Sequence, residues 1–400
     1  MLEESFNRFS PCCPRCANSP TPDEFLELNT PWLPQLQLDT VTQNQDGEIL
    51  TGTLKCLHCA SVYPILDGIP ILVSDPQQYI RDHWLEIHYR LDDSPQNATL
   101  LAQAAGPDHP IDALRYRLSV HLQSHFSDRY SCQDQQNHSA MEQLTREADR
   151  LYRERSDSSS NRGDPSDKNR GLFGNAERVL DVGCGLGRSL FVAAEEGATS
   201  GLGIDLDFCA IQAARKLARE GTVTLPRKQS GDCYFQERVE LRESEKKSAQ
   251  KIDFWVADAL FPPWIPGQYR GAKDGESGPV VMAWNLLDCV QDPTALVQRI
   301  SEIACGGFGA LSSPYDWSAH HTDPKLWLGF SDTNPREICE DSRIDGPSPS
   351  ALRDLFSSNR AGGLHPLGNI IGETERFPWV LPLHSRAAMH YQIQVLLFQR

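Results

Sequence analysis

The sequence predicts an α/β fold with a doubly wound parallel sheet, and two observations from residue 173 onward carry this prediction. Short apolar segments of strand type alternate with longer segments in which apolar residues recur at helical spacing. A glycine-rich turn at residues 183–187 follows the first of these strands. Strands that alternate with helices form parallel sheets through right-handed crossovers, and ligands then lie at the carboxyl ends of the strands.

The first strand and its turn read Arg-Val-Leu-Asp-Val-Gly-Cys-Gly-Leu-Gly-Arg over residues 178–188. Gly183, Gly185 and Gly187 permit positive φ and lack the Cβ atoms that would keep a ligand away from the backbone. The following helix offers unpaired N–H groups at its N-terminus. The turn therefore predicts a cradle for a nucleotide-like cofactor, with a purely structural turn as the alternative.

An acidic residue ends each of the next two strands. Asp205 follows the strand at 198–204 and lies 18 residues beyond Gly187, whereas Asp258 follows the strand that begins at Ile252. A carboxylate at the position of Asp205 can accept both hydroxyl groups of a ribose. The alternation continues through a strand at 279–284, a helix at 293–304 and a strand at 307–311.

This arrangement resembles the class I S-adenosylmethionine-dependent methyltransferases over about residues 173–311. The resemblance implies a seven-stranded sheet and S-adenosylmethionine as the cofactor. It also implies roles for three acids: Asp181 supports the methionine end of the cofactor, Asp205 binds the ribose, and Asp258 reaches the adenine amine.

Asn285 follows the fourth strand, and the resemblance implies that it faces the junction of donor and acceptor. The next residues are Leu286 and Leu287. The asparagine-proline-proline-aromatic signature of amino methylation on nucleobases and glutamine is therefore missing. This argues against a nucleic acid or a release factor as the acceptor.

The candidate acceptor segment is Ser312-Ser-Pro-Tyr-Asp-Trp317, followed by Trp327-Leu-Gly329. Tyr315, Trp317 and Trp327 can stack on a flat or cationic acceptor. Asp316 can take a proton or hold an amine. The alternative is that these aromatic residues cap the core beneath a loop. The segment resembles the methyltransferases that act on histidine derivatives, including the methyltransferase part of the ovothiol-forming enzymes, which implies a histidine-like acceptor.

Near the N-terminus, Cys13 and Cys16 form one C-x2-C pair, and Cys56 and Cys59 form a second. Two such pairs supply the four sulfur ligands that zinc favours, so a structural zinc ion is expected. The 39 residues between the pairs exceed the usual spacing, and Cys12 is a competing ligand. Reduced cysteines without a metal are the alternative.

The segment Tyr63–Val73 predicts two short strands around the turn at Asp67-Gly68. Together with the cysteine pairs, it resembles the Trm112-like zinc ribbons over roughly the first 75 residues. Members of that family bind and stabilise methyltransferase partners, so the resemblance implies that this ribbon packs on its own methyltransferase domain. Residues 1–75 contain three basic and ten acidic residues, which disfavours nucleic-acid recognition.

We expect four regions along the chain: a zinc ribbon at 1–75, a helical connection or lid at 76–155, a flexible linker at 156–172 and a methyltransferase domain at 173–400. In the lid, His121 and His125 are one helical turn apart and form the only geometrically suggestive pair among histidines that are otherwise expected to be surface or packing residues. The charged stretch at 226–251 and the stretch at 267–278 are expected to be surface insertions.

Composition narrows the function classes. The formal net charge of −16 would repel a phosphate backbone. The sequence has no run of 18 apolar residues and no secretory start, and its 12 cysteines then indicate a cytoplasmic protein with metal ligands and buried thiols. We expect a methyltransferase that acts on a small nitrogen- or sulfur-containing acceptor. The alternatives are a methyltransferase of tRNA or a translation protein, and a non-catalytic cofactor-binding scaffold.

Overall fold

The computed structural model describes residues 1–17, 34–91, 96–97, 100–101, 104, 110–127, 138–159, 171–174, 176–269, 278–330, 346–357, 367–384 and 386–400. Residues 160–170 of the expected linker and 270–277 of the second expected insertion lie outside this part of the chain.

The strands occur in two groups, one near the N-terminus and one from residue 179 onward. They are β1 (Leu36–Gln45), β2 (Glu48–Cys56), β3 (Val62–Leu66), β4 (Ile69–Leu72), β5 (Val179–Val182), β6 (Gly201–Asp205), β7 (Thr222–Ser230), β8 (Cys233–Glu240), β9 (Ile252–Ala257), β10 (Val280–Ala283), β11 (Phe308–Ser313), β12 (Asn369–His384) and β13 (Ala387–Gln399).

Helices contain most of the described residues between the two strand groups and also cross over between the later strands. They are α1 (Glu3–Phe9), α2 (Pro14–Ala17), α3 (Pro76–Asp82), α4 (Trp84–His88), α5 (Pro110–Phe126), α6 (Ala140–Ser159), α7 (Arg188–Glu195), α8 (Phe208–Glu220), α9 (Glu243–Ala249), α10 (Pro293–Ile303) and α11 (Ser348–Ser357).

The main sheet has the strand order β1-β2-β3-β4-β9-β6-β5-β10-β11-β13-β12. The run from β4 to β11 is parallel, and β13 is antiparallel to both of its neighbours. The chain order reverses between β5 and β10. A crevice for a ligand is expected at the carboxyl ends of the strands on either side of this switch point.

The expected sheet of seven strands is part of a sheet of eleven among the described residues. The difference arises because β4 pairs in parallel with β9, with Ile71 opposite Val256 and Leu72 opposite Ala257. The N-terminal strands therefore extend the central sheet. Because an open strand edge favours pairing with another strand, this contact also covers the edge that β9 would otherwise expose.

Two hydrophobic cores lie on opposite faces of the sheet, as the alternation of side chains along its strands requires. In β9, Phe254 packs among the residues of α5, α6, α7 and α8, whereas its neighbour Trp255 packs with Ile300 of α10 and with the N-terminal segment. Both rings are fully buried. Helices thus cover both faces, as in a doubly wound fold.

The charged stretch at 226–251 is expected to be a surface insertion, and most of its residues are exposed or half-buried, but it is regularly folded and part of it packs on the domain. Strands β7 and β8 form an antiparallel hairpin, and β7 packs on α5. Leu225 and Arg227 are buried, and Arg227 pairs with Glu237 across the hairpin at 2.5 Å. The density of charges concealed the strand because oppositely charged residues pair across it.

Candidate functional site

The glycine turn lies at the switch point between β5 and β10. Gly183, Gly185 and Gly187 have φ values of 75°, 50° and 73°, in the region that L side chains rarely adopt. The backbone N–H groups of Gly183 and Cys184 both donate to the carbonyl of Ile204 in β6, at 2.8 and 3.1 Å. The turn is therefore held tightly against the second strand, and α7 begins directly after it.

Asp205 lies at the carboxyl end of β6, as the sequence predicts, and both of its carboxylate oxygens accept backbone hydrogen bonds. Oδ2 accepts from Gly185 N at 2.9 Å, and Oδ1 accepts from Asp207 N at 2.9 Å. Burial raises the pKa of this carboxyl, while the nearby His121 opposes the shift. These hydrogen bonds fix the orientation of the carboxylate toward the turn.

Asp181 lies within β5 and is 1% exposed. Neither of its carboxylate oxygens has a hydrogen-bond partner among the described residues. Burial, and secondarily the charge of Asp205, raises the pKa of Asp181 to about 8, and the nearby Ser189 hydroxyl, which also makes no hydrogen bond of good geometry, opposes the shift. A buried polar group without a partner costs free energy, so this carboxylate is suited to a ligand that supplies a donor or a positive charge.

Asp258 and Asn285 follow the neighbouring strands β9 and β10. Asp258 accepts from Leu260 N at 2.9 Å, and burial raises its pKa. Asn285 has a φ of 49°, and its side-chain oxygen accepts from Ser312 Oγ at 2.8 Å. The acids and the asparagine thus share one edge of the sheet with the glycine turn.

The lid histidines lie directly against the turn. A Cβ atom on Gly185 would come within 2.9 Å of His121 Nδ1 and 3.0 Å of His125 Nε2. Arg188 N donates to His125 Nδ1 at 3.5 Å. Burial, with smaller contributions from His121 and Arg188, lowers the pKa of His125. The i, i+4 spacing in the sequence indicates that His121 and His125 lie on one helix face, but it does not show that this face contacts the glycine turn.

Arg188, the first residue of α7, connects the turn to the lid. It is 6% exposed and donates to Glu142 of α6 and Glu245 of α9, each at 2.6 Å. Its guanidinium also lies over the ring of Phe126 at 5.5 Å. Arg242 also pairs with Glu142 and Glu245, at 3.1 and 2.6 Å, so Arg188 is the most buried cation of a charge network that joins the turn to the lid helix α6 and to α9.

The aromatic residues of the acceptor segment are held by contacts with one another, with their own loop and with α11 and β13. The rings of Trp317 and Trp327 stack at 6.2 Å, and their indole N–H groups donate to Ser348 Oγ and the Thr322 carbonyl at 3.0 and 3.1 Å. Tyr315 hydroxyl bonds to Gln394. Tyr315 and Trp317 line a cavity of about 850 Å³ and pack with the core on the α10 side of the sheet.

Asp316 points away from that cavity. Its Oδ2 accepts from the hydroxyl of Tyr391 at 2.9 Å, and Tyr391 packs against the core on the lid side of the sheet. The chain turns at Tyr315, whose φ is 56°, and the exposed Asp316 is not among the residues that line the cavity with Tyr315 and Trp317. The structure therefore does not gather the four predicted acceptor residues on one surface.

Asp288 and Tyr391 are two further residues at this site that the sequence did not identify as candidates. Asp288 Oδ2 accepts from Asp316 N at 2.9 Å and Oδ1 accepts from Ser313 Oγ at 3.3 Å, and burial raises the pKa of Asp288 to about 6. Asp288 could have been identified from the sequence, because it follows the end of the fourth strand, where ligands bind in this fold. The position of Tyr391 depends on the register of β13, which the sequence does not specify.

The four predicted cysteine ligands form one cluster, with all sulfur atoms within 4.8 Å of one another. The Cys13–Cys59 and Cys16–Cys56 sulfur distances are 3.6 and 3.9 Å. A zinc–sulfur bond of about 2.3 Å in tetrahedral geometry places sulfurs about 3.8 Å apart. The donor set therefore fits a zinc ion.

Known proteins match this chain at the level of a domain. Residues 174–343, less than half of the chain, match a family described as "Methyltransferase domain". The chain therefore carries a methyltransferase domain, which makes it an enzyme of the methyltransferase class. No curated protein matches the sequence.

Among solved structures, the chain is similar to the cyclase SpnF, with a TM-score of 0.32 and 15% identity over 51% of this chain and 59% of SpnF. It is similar to phosphoethanolamine N-methyltransferase 2 of Haemonchus contortus, with a TM-score of 0.23 and 17% identity over 35% of this chain and 25% of that one. It is also similar to the YcgJ protein of Bacillus subtilis, with a TM-score of 0.32 and 15% identity over 57% of this chain and 94% of that one. The chain spans less than two thirds of the first two structures, and similarities this weak add nothing to the domain match.

Proposed function

We propose that this protein is an S-adenosylmethionine-dependent methyltransferase whose cofactor binds at the carboxyl ends of β5, β6 and β9. The observation that carries the proposal is the unpartnered carboxylate of Asp181, buried beside the glycine turn. The methionine end of the cofactor carries an ammonium group, which would supply the donor that Asp181 lacks. The positive φ of the three glycines lets the backbone approach such a ligand closely.

The remaining residues of this edge fit the other parts of the cofactor. Asp205 would accept the ribose hydroxyls, since its orientation is already fixed by Gly185 N and Asp207 N. Asp258 would accept from the adenine amine, and Asn285 would face the junction with the acceptor. The same residues bear on the alternative of a purely structural turn, because such a turn does not explain why Asp181 is buried without a partner.

The cofactor supplies a methyl group bonded to an electron-poor sulfonium sulfur. The protein then has to align the acceptor, exclude water and, where needed, remove a proton. Asp316 is the residue best suited to accept that proton or hold an amine, because Tyr391 orients its carboxylate and Asp288 holds its backbone.

For the acceptor, we infer a small nitrogen- or sulfur-containing molecule, with a histidine-like compound favoured. This inference rests on the resemblance of the segment at 312–329 to the methyltransferases of histidine derivatives. The net charge of −16 disfavours the alternative of a tRNA substrate. Among the described residues no helix is long and apolar enough to span a membrane.

We infer further that residues 1–75 are a Trm112-like ribbon with a structural zinc ion. Its packing on the methyltransferase domain is extensive: beyond the pairing of β4 with β9, Cys12 N donates to the Pro263 carbonyl at 2.8 Å. Trp264 and Tyr269 both donate to the carbonyl of Phe9, at 2.9 and 3.0 Å. The ribbon would thus stabilise its own catalytic domain.

The test is incubation of the full chain with S-adenosylmethionine labelled in its methyl group and three acceptor sets: histidine derivatives, total RNA and a protein extract. We expect label in a small molecule of the first set. Label in RNA or protein would favour the macromolecular alternative. Cofactor binding with no transfer to any set would favour the non-catalytic scaffold.

A further inference from the structure

Tyr79 makes a contact with the loop that carries the proposed ribose-binding acid, although it belongs to the region that follows the ribbon. Its hydroxyl donates to the carbonyl of Leu206 at 2.6 Å. Leu206 lies directly after Asp205, and its own side chain is 42% exposed. Burial of the Leu206 side chain therefore does little to hold the backbone here. The hydrogen bond from Tyr79 holds it instead.

The side chain of Tyr79 is itself well fixed. It is 7% exposed, and its ring stacks on that of His83 at 4.1 Å. Helix α3, which carries Tyr79, begins with an Asp75 cap that accepts from Gln78 N at 2.9 Å. The helix starts only a few residues after β4, whose pairing with β9 sets its position. The phenol thus reaches Leu206 from a rigid base.

A second contact holds the other end of the same loop. Arg117 of α5 donates to Asp207 at 3.0 Å and to Glu86 of α4 at 2.6 Å. Asp207 also caps α8, accepting from Cys209 N and Ala210 N at 3.0 and 3.1 Å. The two residues that follow Asp205 are therefore joined to helices that lie outside the strand-turn-helix unit of the cofactor site.

We propose that Tyr79 is a positioning residue for the cofactor: it fixes the backbone after Asp205 and so holds the carboxylate in the orientation that binds the ribose. Arg117 supports the same loop from the lid. This inference rests on the proposed function, because it assigns Tyr79 a role in cofactor affinity. It makes the region after the ribbon part of the cofactor site, which the strand-turn-helix pattern alone does not reveal.

The experiment compares Tyr79→Phe with the matched control Tyr116→Phe in the full chain, by calorimetric titration with S-adenosylhomocysteine. Tyr116 lies on α5, is 39% exposed and contacts Lys228 through its ring, which the substitution keeps. One lost hydrogen bond predicts a dissociation constant raised roughly 3- to 10-fold in Tyr79→Phe. We expect no change in Tyr116→Phe, and no change in kcat at saturating cofactor for either variant.

A structural role alone would lower Tm in Tyr79→Phe and leave its dissociation constant at 20 °C equal to that of the wild type, and this result would overturn the inference. Equal weakening in both variants would do the same. Lack of binding by the wild-type protein would overturn the proposed function as well. As a second variant, Arg117→Gln should weaken binding about 2-fold at low salt, because its ion pairs are partly exposed and screened.

Discussion

The backbone N–H of Gly185 donates to the carboxylate of Asp205 at 2.9 Å. This hydrogen bond joins the turn after the first strand of the domain to the acid at the end of the second. The two sequence features that predict a cofactor site are therefore one structural unit, and a change in the turn should alter the acid as well.

Gly185→Ala tests this unit, and Gly231→Ala is its matched control. The two glycines have φ values of 50° and 51°, but a Cβ atom on Gly231 would meet nothing within 4 Å, whereas one on Gly185 would meet His121 and His125. Both variants should lose about 1 kcal/mol of unfolding free energy through backbone strain. Only Gly185→Ala should also weaken S-adenosylhomocysteine binding, by about 10-fold or more, because it displaces the lid histidines and Asp205. Equal affinities of the two variants for S-adenosylhomocysteine would contradict the claim that the turn and Asp205 form one structural unit.

Asp181→Asn should separate stability from function. Folding raises the pKa of Asp181 to about 8. The contribution of this proton to the unfolding free energy is therefore complete at a pH below the ordinary carboxyl pKa and is lost as the pH rises toward 8. Asparagine does not titrate. The variant should therefore gain stability relative to the wild type by up to about 1.4 kcal/mol per pH unit in denaturant titrations between about pH 5 and 7.

The same variant should bind S-adenosylhomocysteine at least about 10-fold more weakly, because a neutral amide replaces the proposed partner of the ammonium group. In the wild type, affinity should rise with pH up to about 8, as Asp181 becomes ionised. A variant that is both more stable and fully competent in binding would show that Asp181 does not contact the ligand.

The order of elements between β5 and β11 could be predicted because apolar periodicity and glycine positions are local signals. The pairing of β4 with β9 could not be predicted, because the apolar Ile71 and Leu72 are equally suited to a hairpin in which β4 pairs with β3 alone. The acids at 205 and 258 follow from their positions at strand ends. The partnership of Asp316 with Tyr391 depends on which face each side chain occupies, and a shift of one residue in the register of β13 would reverse it.

Cys16→Ser tests the zinc proposal, with Cys233→Ser as the control because Cys233 is an exposed free cysteine. Metal analysis should find about one equivalent of zinc in the wild type and in the control, and less than half an equivalent in Cys16→Ser. Since the cysteines pack in the same core as Trp255 and Leu180 of the sheet, zinc loss should lower Tm by about 5 °C or more. Full stability without zinc would contradict a structural role.

Asp316→Asn tests the acceptor side once a methylated acceptor is identified. If the carboxylate takes a proton during transfer, kcat should fall about 100-fold or more in steady-state assays. Tyr391→Phe keeps the carboxylate but removes the hydroxyl that orients it, so a smaller loss of roughly 3- to 10-fold is expected. Binding of S-adenosylhomocysteine should stay unchanged in both variants. An unaltered kcat in Asp316→Asn would exclude the proposed role.

The central claim is that the edge formed by Asp181, the glycine turn and Asp205 binds the methyl donor. Calorimetric titration of the full chain with S-adenosylhomocysteine tests it most directly, with Asp205→Asn as the site variant and the exposed Asp232→Asn as the control. We predict one site per chain with a dissociation constant below about 100 μM, kept in Asp232→Asn and weakened about 10-fold or more in Asp205→Asn. No measurable binding by the wild type, or equal affinity in all three proteins, would contradict the claim.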